Sequence, residues 1–144
     1  MKAWLPQHHQ PELRREGLKY EIVHDKKDRE FSVWNFVIGR ERTPLANKIV
    51  SIANEPFCRV SKLDTGDEVT KINLGSTCQS IAVDKTQSLI AIGTQENVTF
   101  VETTNFTKVK EVSLTSDVFS LGFNRQNDCM IAVTRNGEIH SFKF

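Results

Sequence analysis

Cysteine and net charge are both scarce in this 144-residue chain, and each shortage removes a class of protein from consideration. The three cysteines, Cys58, Cys78 and Cys129, are odd in number and form no C-x-x-C pair. Reduced, buried thiols are therefore expected in place of a disulfide framework or a zinc site. A net charge of +1, from nineteen basic and eighteen acidic residues, leaves no field of one sign to steer nucleic acid or anionic lipid. No apolar run approaches the roughly 18 residues of a membrane span, and "MKAWLPQHHQ" lacks the apolar segment of a secretory signal. The expectation is an intracellular protein, cytoplasmic or nuclear, with no membrane or nucleic-acid partner. G-x-S-x-G, P-loop, Rossmann and H-E-x-x-H motifs are also missing, so no enzyme activity, cofactor or metal is expected.

What the chain does have is a repeat. Residues 49 to 84, "IVSIANEPFCRVSKLDTGDEVTKINLGSTCQSIAVD", lie on residues 89 to 124 at a constant offset of 40. Apolar residues meet at Ile49/Leu89, Val50/Ile90, Ile52/Ile92, Val60/Phe100, Ile72/Val112 and Ile81/Leu121. A truncated third copy, 130 to 144, lies on 89 to 103. Each copy reads as four short strands, placed in the best copy near 78 to 84, 88 to 94, 98 to 103 and 108 to 114. The first strand has a bulky face (Ile81, Val83) and a small one (Cys78, Ser80, Ala82). The second is apolar on both faces, as in a strand covered on both sides. The fourth interleaves Lys108, Lys110 and Glu111 with apolar residues, the pattern of an outer strand protected against edge pairing. Inner strands that are doubly buried and an outer strand that is half exposed, repeated every forty residues, predict all-β propeller blades.

The residues then resemble a worn WD40 repeat. "IAIGTQENVTFVE" is similar to the family's strand-turn-strand, with Gly93-Thr94 in place of Gly-Ser and Val101-Glu102 in place of Trp-Asp. "SKLDTG" resembles the Trp-Asp-x-x-Thr-Gly turn, with Ser61-Lys62 replacing Trp-Asp. The resemblance covers about residues 47 to 144. It implies a WD40-like β-propeller and, with it, a scaffold for binding other proteins.

Domain organisation reads as a flexible arm over 1 to 17, with one helical turn at 11 to 16, and a propeller segment over 18 to 144 with repeats at about 47 to 77, 78 to 117 and 118 to 144. "LKYEIVH" and "EFSVWNFVI" read as two strands joined by the charged turn 25 to 29, and Trp34 as a core residue. "IGRERTP", where the register asks for a first strand, departs from the repeat. Two to three blades are fewer than the about four to eight of a closed ring. The expectation is a fragment, or a chain whose partner or second copy supplies the missing blades.

Loops at one rim supply the candidate contact residues: Gly75, Ser76, Thr77, Gln95, Glu96, Asn97, Thr115, Ser116, Asp117 and Asn136, with Gly137. His140 reads as a surface residue. The competing reading is Asp64-Thr65-Gly66, the triplet of aspartic proteases, which requires two carboxylates sharing a proton and hence a homodimer of the retroviral type. The sister copy has Thr104-Asn105-Phe106 at that place, so a hairpin turn is the preferred reading.

Overall fold

The computed structural model describes residues 33–144 in full, together with the backbone of Glu12–Arg15 (β1) and Leu18–Glu21 (β2). Those two segments pair antiparallel as a short hairpin, so Glu12–Arg15 is a strand where a helical turn was expected. The arm over 1 to 11 and the charged turn at 25 to 29 lie outside the described residues.

The remaining strands form three antiparallel sheets. The first holds Val33–Ile38 (β3), Lys48–Ala53 (β4), Phe57–Lys62 (β5) and Glu68–Asn73 (β6), in that order. The second holds Cys78–Val83 (β7), Leu89–Thr94 (β8), Asn97–Glu102 (β9) and Thr107–Ser113 (β10). The third has Val118–Phe123 (β11), Cys129–Thr134 (β12) and Ile139–Lys143 (β13). The first strand sought in "IGRERTP" is β3, displaced toward the N-terminus by a longer β3–β4 loop.

Each sheet packs on the next through unlike faces. Val50, Ile52, Cys58 and Val60 of the first sheet meet Ile81, Ile90, Ile92 and Val101 of the second in one core. Ala91, Val98 and Phe100 on the second sheet's other face meet Val118, Met130 and Ala132 of the third. At the second interface the missing side chain of Gly93 leaves room for Val118, which lets the sheets approach at core density. Gly93 shows how tight this approach is: a Cβ there would overlap Ser80 Oγ and stand 2.7 Å from Val118 Cγ1. Ser80 Oγ donates across the same gap to the Val118 carbonyl at 2.6 Å.

The pairing registers correct the sequence alignment by one residue in the second strand. Ile49 pairs with Ile38 and Ile90 with Val83, which makes Val50 the counterpart of Ala91, not of Ile90. Met130 pairs with Phe123 and so corresponds to Ile90, not to Leu89. These strands are apolar on both faces, so a slip of one keeps apolar on apolar while it exchanges the faces. Turns of unequal length after β4, β8 and β12 absorb the difference.

Bulges recur at fixed places. The first strand of every sheet shifts register around one residue, Trp34, Gln79 or Phe119. The bulge turns Trp34 to solvent, 49% exposed, which corrects its expected place in the core. Both outer strands shift around Val69 and Val109. These two match in sequence yet are exposed, because a bulge re-aims its side chain.

Candidate functional site

In a four-stranded antiparallel blade, the loop between second and third strands and the loop to the next blade leave from the same end. That end carries all the expected contact residues. Gly75 to Thr77 join β6 to β7, Gln95 and Glu96 join β8 to β9, with Asn97 opening β9, Thr115 to Asp117 join β10 to β11, and Asn136-Gly137 join β12 to β13.

Backbone hydrogen bonds tie these loops into one rim. Leu114 N donates to Glu96 O at 2.9 Å, Cys78 N to Glu55 O at 3.1 Å, and Arg135 N to Asp117 O at 2.8 Å. The turns have internal hubs. Thr94, fully buried, accepts from the amides of Glu96 and Asn97 at 3.2 and 3.1 Å, while Thr134 accepts from Glu138 N at 3.1 Å and donates to Asn136 Oδ1. A threonine ending the second strand fits here because its hydroxyl satisfies turn amides that would otherwise be unpaired.

The rim has two neighbourhoods. Gly75, Ser76, Glu96 and Asn97 line an open depression of about 400 Å³ with Asn73, Leu74, Lys108 and Glu111. Gly75, at φ +85°, donates its amide to Asn73 Oδ1 at 2.9 Å. Thr115, Asp117 and Asn136 gather instead around Glu138 and Arg135, which the sequence did not single out, and around His140, which it read as a surface residue. Thr115 Oγ1 donates to Glu138 Oε1 at 2.9 Å, and half-buried His140 contacts the same oxygen at 3.0 Å. Both contacts hold the Glu138 carboxyl below its usual range, the Thr115 hydrogen bond being the larger cause. Arg135 lies 3.5 Å from Asp117 and over the Phe119 ring at 5.4 Å.

Phe119 is 45% exposed. It and Trp34 occupy the same bulge in their strands, so two of the three blades aim an aromatic outward near this rim. No signal in the sequence marks them: Phe119 alternates in step with Leu121 and Phe123, and the bulge that turns it outward is invisible without pairing. Ser116 is half-buried and Gln95 exposed.

The Asp64-Thr65-Gly66 triplet lies at the opposite rim, in the β5–β6 turn. Gly66 N donates to Lys62 O at 2.8 Å and Lys62 N to Asp67 O at 2.8 Å, closing a hairpin loop. Gly66 has φ +79° and its counterpart Phe106 has φ +57°, so the two copies share a left-handed turn residue whatever its side chain. Asp64 and Thr65 are exposed, and nothing in this arrangement supports the protease reading. Cys58 and Cys78 are buried free thiols, and Cys129 is half-buried. Burial, with the Glu55 carboxylate nearby, pushes the Cys78 thiol up to about 12. Among the described residues no group of three or more His, Cys, Asp or Glu could hold a metal ion.

No protein-family model matches the chain, and no curated protein does either. Solved structures do. The crystal structure of RRP9 WD40 repeats superposes with a TM-score of 0.71 at 14% identity, covering 81% of this chain and 37% of that one. The computationally designed Ika4 protein gives 0.64 at 16% identity, over 84% of this chain and 70% of that one. Hydrazine synthase of Kuenenia stuttgartiensis also gives 0.64, at 8% identity, over 70% and 30%. The chain thus spans little more than a third of the RRP9 structure. With three sheets packed face to face, bulges in register and these neighbours, the fold is that of WD40-like β-propeller blades in a ring that does not close.

Proposed function

We propose that this chain is a non-enzymatic scaffold that binds other proteins in the cytoplasm or nucleus through the rim bearing Trp34, Phe119 and Arg135. The observation that carries this reading is the placement of two exposed aromatics at equivalent bulges beside rigid, cross-tied loops. Aromatic and arginine side chains supply much of the binding energy at protein interfaces, the aromatics because they bury large areas at little entropic cost and arginine because its planar guanidinium stacks and forms several hydrogen bonds. Loops on a stiff framework are where recognition is usually carried. Around Phe119 the mixed charges of Asp117, Arg135 and Glu138 provide orientation without a field of one sign. A closed ring needs about four to eight blades, and the reading places these three in a larger assembly or in a longer propeller.

A comparative pull-down tests it. Immobilised wild-type chain is expected to retain a defined protein that a Phe119→Ser/Arg135→Glu chain loses and a Lys85→Glu chain, altered on the opposite rim, keeps. An identical set of bound proteins on all three chains removes the rim from consideration. Peptidase activity on unfolded protein is expected to be absent, and a signal abolished by Asp64→Asn would reinstate the protease.

A further inference from the structure

The first and second sheets each have four strands, and the crevice between their outer strands opens at the rim as the depression of about 400 Å³. Lys108 pairs with Val101 and Glu111 with Thr99, and residues paired across strands share a face of the sheet. Val101 belongs to the core between these two sheets, so Lys108 and Glu111 face the first sheet across the crevice. Asn73 and Ser76 line it from the first sheet's side, and Glu96 and Asn97 border it at the β8–β9 turn.

Three features of this lining point to a ligand. The first is charge, two carboxylates against one ammonium. Lys108 Nζ stands 3.8 Å from Glu111 with both side chains exposed, and so long and solvated a pair holds weakly. Glu96 is exposed and makes no ion pair or side-chain hydrogen bond among the described residues. The second is a pair of half-used carboxamides. Asn73 Oδ1 accepts from Gly75 N at 2.9 Å, and Asn97 Oδ1 accepts from Thr94 and Thr99 Oγ1 at 3.1 and 3.2 Å. That orientation leaves both NH2 groups as donors without a partner among the described residues. The third is Ser76 Oγ, which is buried and has no hydrogen-bond partner among the described residues. A buried hydroxyl in that state costs free energy until a polar group reaches it.

From these observations we infer that the crevice binds an arginine side chain of another polypeptide. A guanidinium is planar and always charged, and its fork of N–H donors matches carboxylates. Glu96 and Glu111 receive it, Lys108 gives up its weak pair, and an N–H of the guanidinium supplies the partner that Ser76 Oγ lacks. The NH2 groups of Asn73 and Asn97 bond main-chain carbonyls beside the arginine, which favours an arginine within a chain over a small guanidinium compound. Charge-assisted bonds of this kind are the strong ones. The crevice lies on the same rim as Phe119 and Arg135 but shares no residue with them, so it stands or falls separately from their role.

The experiment titrates the full, isotopically labelled chain with the peptide acetyl-Gly-Arg-Gly-amide and follows the backbone amide resonances. Saturable shifts are expected at Gly75, Ser76, Glu96 and Asn97. Affinity should fall about tenfold with Glu96→Gln, which removes one charge-assisted pair, and should rise with Lys108→Gln, which removes the competing ammonium. Glu138→Gln, an equal loss of charge elsewhere on the rim, should leave it unchanged. Glu96 and Glu138 are both exposed, and unchanged melting of the two variants shows that folding is intact. Ser76→Ala should weaken binding without lowering the melting temperature, since its hydroxyl has no partner to lose. Shifts that do not saturate, equal binding of a peptide with citrulline in place of arginine, or an equal loss with Glu138→Gln overturns the inference. So does equal binding of free arginine amide, which would assign the crevice to a small guanidinium ligand.

Discussion

At the scale of single residues, the blades are fitted by very small side chains. Gly93 sits where Ser80 and Val118 close on it, and its neighbour Thr94 satisfies the turn beyond. A Gly93→Ala change is expected to lower stability by about 2 kcal/mol, the cost of overpacking a filled interior, with the loss relieved in part when Val118→Ala is added. Equilibrium denaturation of the single and double variants measures both, and simple additivity would show that the two residues do not compete for the same space. The glycine was legible in the sequence as part of a Gly-Thr pair resembling Gly-Ser. Its physical reason was not, because the atoms that forbid a Cβ come from the paired strand, at Ser80, and from the next blade, at Val118.

At the scale of elements, the loops between first and second strands clasp neighbouring blades. Gln87 and Asn127 stand forty residues apart and share a left-handed backbone, φ +59° and +63°. Gln87 Oε1 accepts from Arg40 N at 2.7 Å and Thr43 Oγ1 at 3.0 Å, and its Nε2 donates to Ile38 O at 3.1 Å. Asn127 Oδ1 accepts from Lys85 N at 2.9 Å and its Nδ2 donates to Asp84 at 3.3 Å. Each side chain reaches back to the previous blade, so the charged insertion "IGRERTP" that looked foreign to the repeat is the surface that Gln87 grips. Gln87→Gly keeps the left-handed backbone but removes the clasp. It is expected to cost about 1 to 3 kcal/mol, the penalty for buried groups left without partners, in urea unfolding. A change within a few tenths of a kcal/mol would mean that water replaces the amide without loss. Strand positions were legible to within a residue or two. The register of the second strand was not, since Ile90, Ala91, Ile92 and Gly93 are all buried and their hydrophobicity says nothing about which face each occupies.

At the scale of the whole molecule, each of the three sheets packs on its neighbours in sequence among the described residues, so stability is not uniform. Among the described residues the second sheet is covered on both faces, whereas the third is covered on one. In such stacked arrays stability is approximately a sum of blade and nearest-neighbour terms. Amide exchange should therefore be slowest at Ile90 and Ile92 and faster in β11 and β12. Equal protection in all three sheets would show one cooperative unit closed by contacts beyond those described. The forty-residue period, the inner-to-outer gradient of polarity and the turn residues determined the architecture from sequence alone, because burial and chain reversal are written in local residue types. Tertiary structure alone decided which face of each doubly apolar strand meets which blade, and that Trp34 and Phe119 turn outward on bulges. Each of those depends on what lies across a gap between strands distant in the chain, and a residue's own chemistry carries no record of it.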